Sequence, residues 1–471
     1  MPTESKLPKA GIKDYIFYYA YKLMCVVFKM LDVRAIAIFG RGVGYLVWAA
    51  LPSRRRIVAR NLLIVIDPTL RPRKLAPMVR RNMVRTTMNL ACSLKTGLMK
   101  NREMERSIRV EGGDVFEAHG SGGHTVISCI PHAGNWEILA RIRPLFSRVE
   151  HFGSMYRKLS NPLLESFVYQ SRTRYGCEMY SKEEGLRAVM KVARSGGLLG
   201  VLSDQFTAEG LYLPYFGKVT GVTPLPALLY KRCKGKGHLF SVFARNTALG
   251  CWAAELGRMI RLPEGCESLP AITMQVNLAL EKCQQENILD GFWMHHRWKS
   301  FANFTFESDA DTREAIRTYG RLPFRMIICA PEDAAHMHSL APAVQALSTS
   351  RPDAEVTLLC PVEQVEFWRS LPGVANIITT NGAESIAAQF DAEPIYAKGP
   401  FDLLFMFGGS GRIYRQLKPL FPLYTIGWEG HPLARKFRCR YKRPDHSGHP
   451  TTQDYAAALL KHHNITLENT P

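Results

Sequence analysis

The stretch Thr125-Val-Ile-Ser-Cys-Ile-Pro-His-Ala-Gly-Asn-Trp-Glu-Ile-Leu139 decides the fold. It opens with a short, mainly apolar run, which is typical of a strand that is buried on both faces. A helix is predicted to begin at Asn135. Another buried strand, Leu198 to Ser203, ends just before Asp204. Because such strands alternate with helices, the sequence predicts an α/β fold with a mainly parallel sheet flanked by helices.

The residues before this sheet are predicted to form helices. The run from Tyr15 to Met30 is apolar and aromatic but contains Lys22 and Lys29, and it is shorter than the ~20 residues that a membrane span needs. We therefore predict N-terminal membrane-associated helices, one or two of them, from residue 12 to about residue 50, with the lysines directed to the headgroups. A buried helix pair and a spanning helix are the alternatives. Helical spacing of apolar residues continues to about residue 100.

The charge of the chain indicates its partners. Basic residues exceed acidic residues by 61 to 41, and the formal net charge of +20 favours anionic partners. Arginine clusters at Ser53–Arg60 and Val79–Arg85 lie beside apolar runs, and the chain carries no nucleic-acid-binding motif. The expected partner is therefore a membrane surface with anionic lipids, and nucleic acid is not expected. The 11 cysteines form no Cys-x-x-Cys pair, so no metal site is predicted.

A second, smaller Rossmann-like α/β domain is predicted in the C-terminal third. It follows a polar segment and repeats a strand, helix, strand order, with strands at Met326–Ala330, Glu355–Cys360 and Phe401–Phe407 and a helix at Leu340–Thr349. The predicted organisation is N-terminal helices at 1–52, a catalytic domain at 53–305, a linker at 306–321 and the smaller domain at 322–471.

A histidine that precedes a carboxylate by five positions occurs at His132 and Glu137, and again at His449 and Asp454. About 1.2 such pairs are expected by chance from 14 histidines and 41 acidic residues, so the spacing alone predicts nothing. The position of His132 is more informative. This histidine follows a buried strand, where a parallel sheet opens into a crevice, whereas His449 has polar neighbours.

Acyl transfer to an alcohol needs a base for the hydroxyl proton, a group that orients this base, and donors for the oxyanion of the tetrahedral intermediate. His132 is the candidate base, and Glu137 is the candidate orienting group. Gly134 and Asn135 are candidates for the oxyanion donors because they precede the predicted helix.

Residues about 14 to 302 resemble the late acyltransferases of lipid A biosynthesis, the lauroyl and myristoyl transferase family, in several ordered blocks. The resemblance implies that Arg157 and Asp204 join His132 and Glu137 as catalytic residues. The matching blocks also place Asn135, Gln205, Arg297 and Lys299 among the candidate substrate-binding residues. The blocks are Arg54–Leu62, Val110–Gly112, His132–Glu137, Tyr156-Arg157, Ser203–Gln205 and Trp293–Lys299.

This resemblance implies an enzyme that needs no cofactor. It would move a fatty acyl chain from a thioester donor, acyl carrier protein or acyl-CoA, to a hydroxyl of a lipid A precursor or related anionic glycolipid. An acidic carrier protein would suit the basic surface. The expected location is the inner membrane, with the active site on the cytoplasmic face.

Residues about 322 to 465 resemble the N-terminal half of the lipopolysaccharide core heptosyltransferases, in Arg351–Leu359, Leu371–Ile378 and Phe401–Phe405. Where that family has a Gly-Asp pair, this chain has Ala335-His336, so we predict a non-catalytic heptosyltransferase-like half-domain fused to the acyltransferase. Three other interpretations stay open. They are a glycolipid-binding scaffold on an acyltransferase fold, an acyltransferase for another phospholipid acceptor, and a sugar transferase that depends on Asp333.

Overall fold

The computed structural model describes residues 10–70, 72–181, 186–299, 309–350, 353–382, 385–392, 398–418, 422–442 and 450–460. The chain divides into two compact units. The first comprises Met1–Val58, Ala76–Leu211 and Val222–His295, and the second comprises Ala59–Leu75, Tyr212–Gly221 and His296–Pro471. Each unit is an α/β structure with a largely parallel sheet and helices packed against it, which agrees with the predicted fold class.

Four helices begin the chain: α1 at Ile12–Met30, α2 at Val33–Ala50, α3 at Pro52–Val65 and α4 at Pro72–Thr96. The Asp32 side chain caps α2 by accepting a hydrogen bond from the Arg34 amide at 2.7 Å. In the described part of the chain, sixteen of the 25 exposed large apolar side chains lie between residues 12 and 51. Among the described helices, α2 is the one that is long and apolar enough to cross a membrane.

Helix α2 packs closely on α4 through two glycines one turn apart. A Cβ at Gly40 would lie 2.8 Å from the Met88 Cα, and a Cβ at Gly44 would lie 2.7 Å from the Val84 Cα. Any larger side chain at either glycine would therefore push the two helices apart. Beside this contact, Arg41 of α2 and the arginines Arg80, Arg81 and Arg85 of α4 line one cavity.

The sheet of the first unit has seven strands in the order β1-β9-β8-β2-β5-β3-β4, and all pairs are parallel except β8 with β9. Its strands are β1 Ile108–Glu111, β2 Thr125–Ile130, β3 Phe152–Tyr156, β4 Glu178–Ser181, β5 Gly197–Leu202, β8 Gly237–Ala248 and β9 Cys251–Met259. The strands β6 Leu211–Tyr215 and β7 Lys218–Val222 pair with each other and belong mostly to the second unit. The helices that follow α4 are α5 Asn101–Ser107, α6 Gly113–His119, α7 Pro162–Thr173, α8 Leu186–Ser195, α9 Leu225–Arg232 and α10 Leu269–Glu286.

The β2 strand alternates its side chains between two buried layers. Val126 and Ile130 pack in one apolar core with Phe116 and with residues of α1, α2 and α4. The strands β2, β5 and β8 also contact the helices α8, α9 and α10. Burial on both sides explains the continuous apolar sequence of this strand.

The second unit contains a six-stranded parallel sheet in the order β12-β11-β10-β13-β14-β15. Numbered within this sheet, the order is 3-2-1-4-5-6, the arrangement of doubly wound nucleotide-binding folds. The strands are β10 Phe324–Cys329, β11 Ala354–Cys360, β12 Val374–Thr379, β13 Leu403–Met406, β14 Tyr424–Trp428 and β15 Cys439–Tyr441. The helices are α11 Ala310–Tyr319, α12 Ala334–Ser350, α13 Val365–Ser370, α14 Ile386–Ala392, α15 Gly411–Leu417 and α16 Thr452–Leu460.

The segment predicted as a linker, 306–321, contains the helix α11, whose first turn is capped by the Asp309 side chain at 2.9 Å from the Thr312 amide. Residues 306–308 lie outside the described residues. The polar sequence of this segment therefore marks an exposed helix and its cap. His449, which shares the His132 spacing, also lies outside the described residues.

A buried charge cluster stabilises the second unit around Asp402. Its carboxylate accepts hydrogen bonds from Lys218 Nζ and from the Arg325 amide, each at 2.8 Å, and it forms an ion pair with Arg60. Asp402 and Arg60 are almost fully buried, with side-chain exposures of 2% and 3%. Burial acts to raise the pKa of Asp402, but the charges of Lys218 and Arg60 outweigh it and hold the pKa below its ordinary value.

Candidate active site

His132 is held by Asp204 at the carboxyl edge of the first sheet. Strands β2 and β5 pair in parallel with Ile130 opposite Leu202, so the residues that follow them leave the sheet side by side. Asp204 Oδ2 accepts a hydrogen bond from the His132 amide at 2.9 Å, and Oδ1 lies 2.5 Å from His132 Nδ1. Gln284 on α10 also donates to Oδ2, at 3.0 Å. The carboxylate thus fixes both the backbone and the ring of His132.

This geometry leaves one ring nitrogen of His132 for chemistry. With Nδ1–H donating to Asp204, Nε2 is the nitrogen that can accept a proton. The ring has an exposure of 13% and lies near Trp136 and Phe292, with centroid distances of 5.1 and 6.4 Å. A mostly buried imidazole with a carboxylate on Nδ1 is an arrangement that suits a general base.

The structure differs from the prediction that Glu137 orients His132. Glu137 instead receives two hydrogen bonds from Arg172 on α7, with Arg172 Nε at 3.0 Å from Oε2. Burial acts to raise the pKa of Glu137, but the bonds and the charge of Arg172 outweigh it and hold this pKa below its ordinary value. Arg172 was not among the sequence candidates, since Gln170-Ser-Arg-Thr173 reads as an ordinary polar helix end.

The prediction of a helix that begins at Asn135 is wrong, because a short 3₁₀ helix at Trp136–Ala140 takes its place. Gly134 explains the difference. Its φ of +58° and the carbonyl of Ala244, which a Cβ would meet at 2.1 Å, allow only glycine and a tight bend there. The bend directs Glu137 toward Arg172.

Gly134 and Asn135, the predicted oxyanion donors, form hydrogen bonds with other residues in the structure. The Gly134 amide donates to the Asp290 carbonyl at 2.9 Å, so it is already engaged. Asn135 is fully buried, and its Oδ1 accepts a hydrogen bond from the Ser93 hydroxyl at 2.6 Å. Its Nδ2 has no partner among the described residues. Asn135 does not line the cavity beside His132.

Arg157 and Gln205 line the same cavity as His132 and Glu137. Arg157 follows β3, which pairs with β5, and its side chain is exposed at the carboxyl edge of the sheet. Arg297 and Lys299 belong to the second unit. There Arg297 is buried, donates to the Gly221 carbonyl at 2.8 Å and lies 4.6 Å from the Tyr215 ring centroid, while Lys299 is exposed.

The cavity beside His132 has a volume of about 300 Å³ and a polar and an apolar end. The polar end contains His132, Glu137, Arg157, Arg172 and Gln205. The walls then continue along the sheet through mainly apolar side chains, two glycines and two serines, among them Phe116, Ile130, Phe152, Leu198, Gly200 and Leu202. In the strand register, Leu198 lies opposite Val126, which is four residues before the end of β2. The apolar end of the cavity therefore lies ~13 Å from the carboxyl edge of the sheet.

The family model for bacterial lipid A biosynthesis acyltransferases matches residues 4–300, which is more than half of the sequence. The chain belongs to this family. It is therefore an acyltransferase of the lipid A biosynthesis type, and every predicted site residue lies within the matched range. No curated protein matches the acyltransferase chain.

Two solved structures show limited similarity to the acyltransferase. One is a glycosyl transferase of family 9 from Veillonella parvula, with 17% identity and a TM-score of 0.25, where the match covers 31% of this chain and 43% of that chain. The other is a GtfA/B complex, with 9% identity and a TM-score of 0.19, covering 65% and 58%. The acyltransferase therefore spans less than two thirds of either structure, and TM-scores this low do not establish a shared fold.

The Glu137–Arg172 pair gives a prediction for stability. Arg172→Gln is expected to lower the free energy of unfolding by about 1–3 kcal/mol, because the Glu137 carboxylate stays largely buried but loses the guanidinium that donates two hydrogen bonds to it. The native pKa of Glu137 is depressed, so the pair contributes fully above the ordinary glutamate pKa of ~4.3 and loses this contribution as the pH falls. The free energy of unfolding, measured with denaturant at several pH values, should therefore fall less on acidification for the variant than for the wild type.

Arg317→Gln is the matched control, because Arg317 pairs with an exposed glutamate, Glu314, on the surface of α11. We expect little change in its stability. An unchanged acid dependence in Arg172→Gln would show that the pair does not stabilise the fold as argued.

Proposed function

We propose that the chain moves a fatty acyl chain from a thioester donor to a hydroxyl of a lipid A precursor or related anionic glycolipid. The observation that carries the proposal is the cavity in which a histidine base stands at the polar end of an apolar channel. A long acyl chain needs such a channel, and its reacting carbonyl would then lie beside the base.

In the proposed reaction His132 Nε2 takes the proton of the acceptor hydroxyl as its oxygen attacks the thioester carbonyl. The tetrahedral intermediate collapses, the carbon–sulfur bond breaks, and the thiolate takes the proton from His132. Asp204 keeps the ring oriented and stabilises the imidazolium that forms. Arg157 has no partner among the described residues and lies at the polar end, where a guanidinium suits a phosphate of the acceptor.

We place the enzyme on the cytoplasmic face of the inner membrane. The exposed apolar side chains of α1 and α2 support attachment to lipid, whether these helices lie on the membrane or α2 crosses it. Acyl carrier protein or acyl-CoA is the proposed donor, with no cofactor. The net charge of +20 favours the acidic carrier protein and an anionic acceptor.

We propose a non-catalytic role for the fused C-terminal sheet. Asp333, on which sugar transfer would depend, accepts the Ala335 amide at 2.8 Å and so caps α12. Arg60 and Lys218 of the second unit contact Asp402, so removal of the C-terminal residues would expose buried charges. Point variants of the full chain are therefore the appropriate test, and Asp333→Ala should leave acyl transfer unchanged.

The full-length protein in detergent or vesicles, supplied with an acyl thioester and a lipid A precursor, tests the function directly. Mass spectrometry of the lipid should show one added acyl group, and the free thiol should appear at the same rate. Transfer to a phospholipid but not to the precursor would assign another acceptor. Tight lipid binding without any transfer would indicate the scaffold instead.

The channel gives a prediction for chain length. Gly200 lies midway along it, and a Cβ there would be 3.1 Å from Ser154 Oγ and 3.2 Å from Ile130 Cδ1. Gly200→Val should therefore shift the preference toward shorter donors, with a roughly tenfold loss for the longest accepted chain relative to shorter ones. Competition between donors of different length measures this ratio.

Gly430→Val is the control, because a Cβ at Gly430 meets no atom within 4 Å. Its chain-length preference should equal that of the wild type. If Gly200→Val also keeps the wild-type preference, the acyl chain does not occupy this channel.

A further inference from the structure

A second, larger cavity of about 690 Å³ lies on the first unit, between α2, α4 and the end of β8. It shares no lining residue with the cavity beside His132. Four arginines line it, Arg41 on α2 and Arg80, Arg81 and Arg85 on α4. We call it the arginine pocket.

The positive charge of the arginine pocket is mostly unbalanced. Arg41 and Arg81 have no hydrogen bond or ion pair within the described part of the chain, and both are exposed. Arg80 lies over the Trp48 ring, with its guanidinium 5.9 Å from the centroid. Arg85 pairs with Asp290, at 2.8 Å. Among the described residues, Asp290 is thus the one carboxylate that pairs with any of these four arginines, and it pairs with Arg85 alone. Guanidinium groups bind phosphate oxygens in pairs of hydrogen bonds.

The floor of the arginine pocket is apolar, and its rim continues into the apolar surface of α2. Val84 and Met88 form buried parts of the floor, and Leu249 and Leu289 complete it. On α2, Ile38, Phe39 and Leu46 are exposed near Arg41 in the sequence. A bare phosphate ion needs only the arginines. The combination of charge and apolar surface fits an amphiphile whose phosphate enters the pocket while its chains lie along α2.

Asp290 connects the arginine pocket to the loop that carries His132. Its carboxylate accepts hydrogen bonds from Arg85 and from Asn246, each at 2.9 Å, while its carbonyl accepts the Gly134 amide. Leu289 lines the arginine pocket and Phe292 lines the cavity beside His132, so the two cavities share one short segment, residues 289–292. A phosphate bound at the arginines would lie beside the support of the catalytic loop without touching the reacting atoms.

We propose that the arginine pocket is a binding site for the phosphate group of a membrane lipid. The site is additional to the reacting centre, and its occupant need not be the molecule that is acylated. Binding of a lipid phosphate there would hold the first unit on the membrane with α2 against the acyl chains. The proposal concerns binding, so it stands or fails independently of acyl transfer.

The test measures binding of the full chain to phosphatidylcholine vesicles with and without phosphatidic acid. Arg41→Gln and Arg81→Gln should each weaken binding to the phosphatidic acid vesicles roughly tenfold. Ala248→Trp keeps every charge but fills the arginine pocket from the exposed end of β8, and it should weaken binding similarly. Arg109→Gln removes an exposed arginine on β1, outside the pocket, and should stay within about twofold of the wild type.

Two further measurements identify the source of the phosphate. Inorganic phosphate is added to each variant during thermal unfolding, and an acyl carrier protein is tested for binding to wild type and Arg81→Gln. If phosphate stabilises the wild type but the vesicle affinities of all variants are equal, the site takes a soluble phosphate and the lipid proposal is overturned. Loss of carrier-protein binding with unchanged vesicle binding overturns it as well. If Ala248→Trp binds the vesicles as tightly as the wild type, the arginines act only as a charged surface. That result would also overturn the proposal that the lipid phosphate enters the arginine pocket.

Discussion

His132→Ala is expected to lower the rate of acyl transfer by ~10²- to 10⁴-fold, because the variant lacks the group that takes the acceptor proton. The fold should persist. His132 sits at a cavity rather than in the core, and Gln284 still bonds Asp204 after the ring is removed. Both kcat and kcat/KM should fall together, since the base acts in the transition state. Formation of the acylated lipid and release of the thiol measure the rate.

His338→Ala is the matched control, because His338 is exposed on α12 in the second unit. Its transfer rate should equal that of the wild type. Equal transfer rates for His132→Ala and the wild type would show that His132 is not the base of the reaction.

Asp402→Ala is expected to lower the free energy of unfolding of the second unit by about 3–5 kcal/mol. The substitution leaves Arg60 and Lys218 buried without their counter-charge, and it removes the acceptor of the Arg325 amide. Asp402→Asn keeps the volume and should still lose most of this stability, because the charge is what the two cations need. Denaturant unfolding followed by tryptophan fluorescence reports the change through Trp368 and Trp428, both buried in this unit.

Glu366→Ala is the control for this effect, because Glu366 forms an exposed pair with Arg369 on α13. No measurable change is expected. A stability of Asp402→Asn close to that of the wild type would show that the buried cluster is not held together by charge.

The buried strands could be predicted well from the sequence, because each one is a continuous run of mainly apolar residues. The apolar run at Thr125–Ile130 is the strand β2 residue for residue, and Glu355–Cys360 differs from β11 by a single residue. The helical spacing after Arg54 likewise corresponds to α3 and α4. In each case the side chains of one short segment decide its structure, so neighbouring residues carry the information.

The partners within the site could not be predicted in the same way. Glu137 and Arg172 are 35 residues apart, and His132 and Asp204 are 72 apart. Resemblance selected Asp204 as a site residue, but only the parallel pairing of β2 with β5 shows that it contacts His132. The bend at Gly134 depends on the Ala244 carbonyl of β8, which no local pattern reveals.

The units also mix distant parts of the chain. Arg60 and Asp402 are 342 residues apart, yet they form one buried pair. The segments 59–75 and 212–221 pack in the same unit as the C-terminal sheet. The sequences of these two segments resemble an ordinary helix and an ordinary hairpin. An ion pair between residues distant in the sequence leaves no periodic pattern, so their place in this unit could not be predicted.

The most direct test of the account compares acyl transfer to a lipid A precursor by the wild type, His132→Ala, Asp204→Asn and the double variant. Asparagine presents an amide hydrogen to Nδ1 and favours the wrong tautomer, so Asp204→Asn should lose ~10²-fold or more. Because Asp204 is proposed to act through His132, the double variant should be no slower than His132→Ala alone. Transfer by Asp204→Asn at the wild-type rate, or losses that multiply in the double variant, would contradict a base that is held and oriented by Asp204.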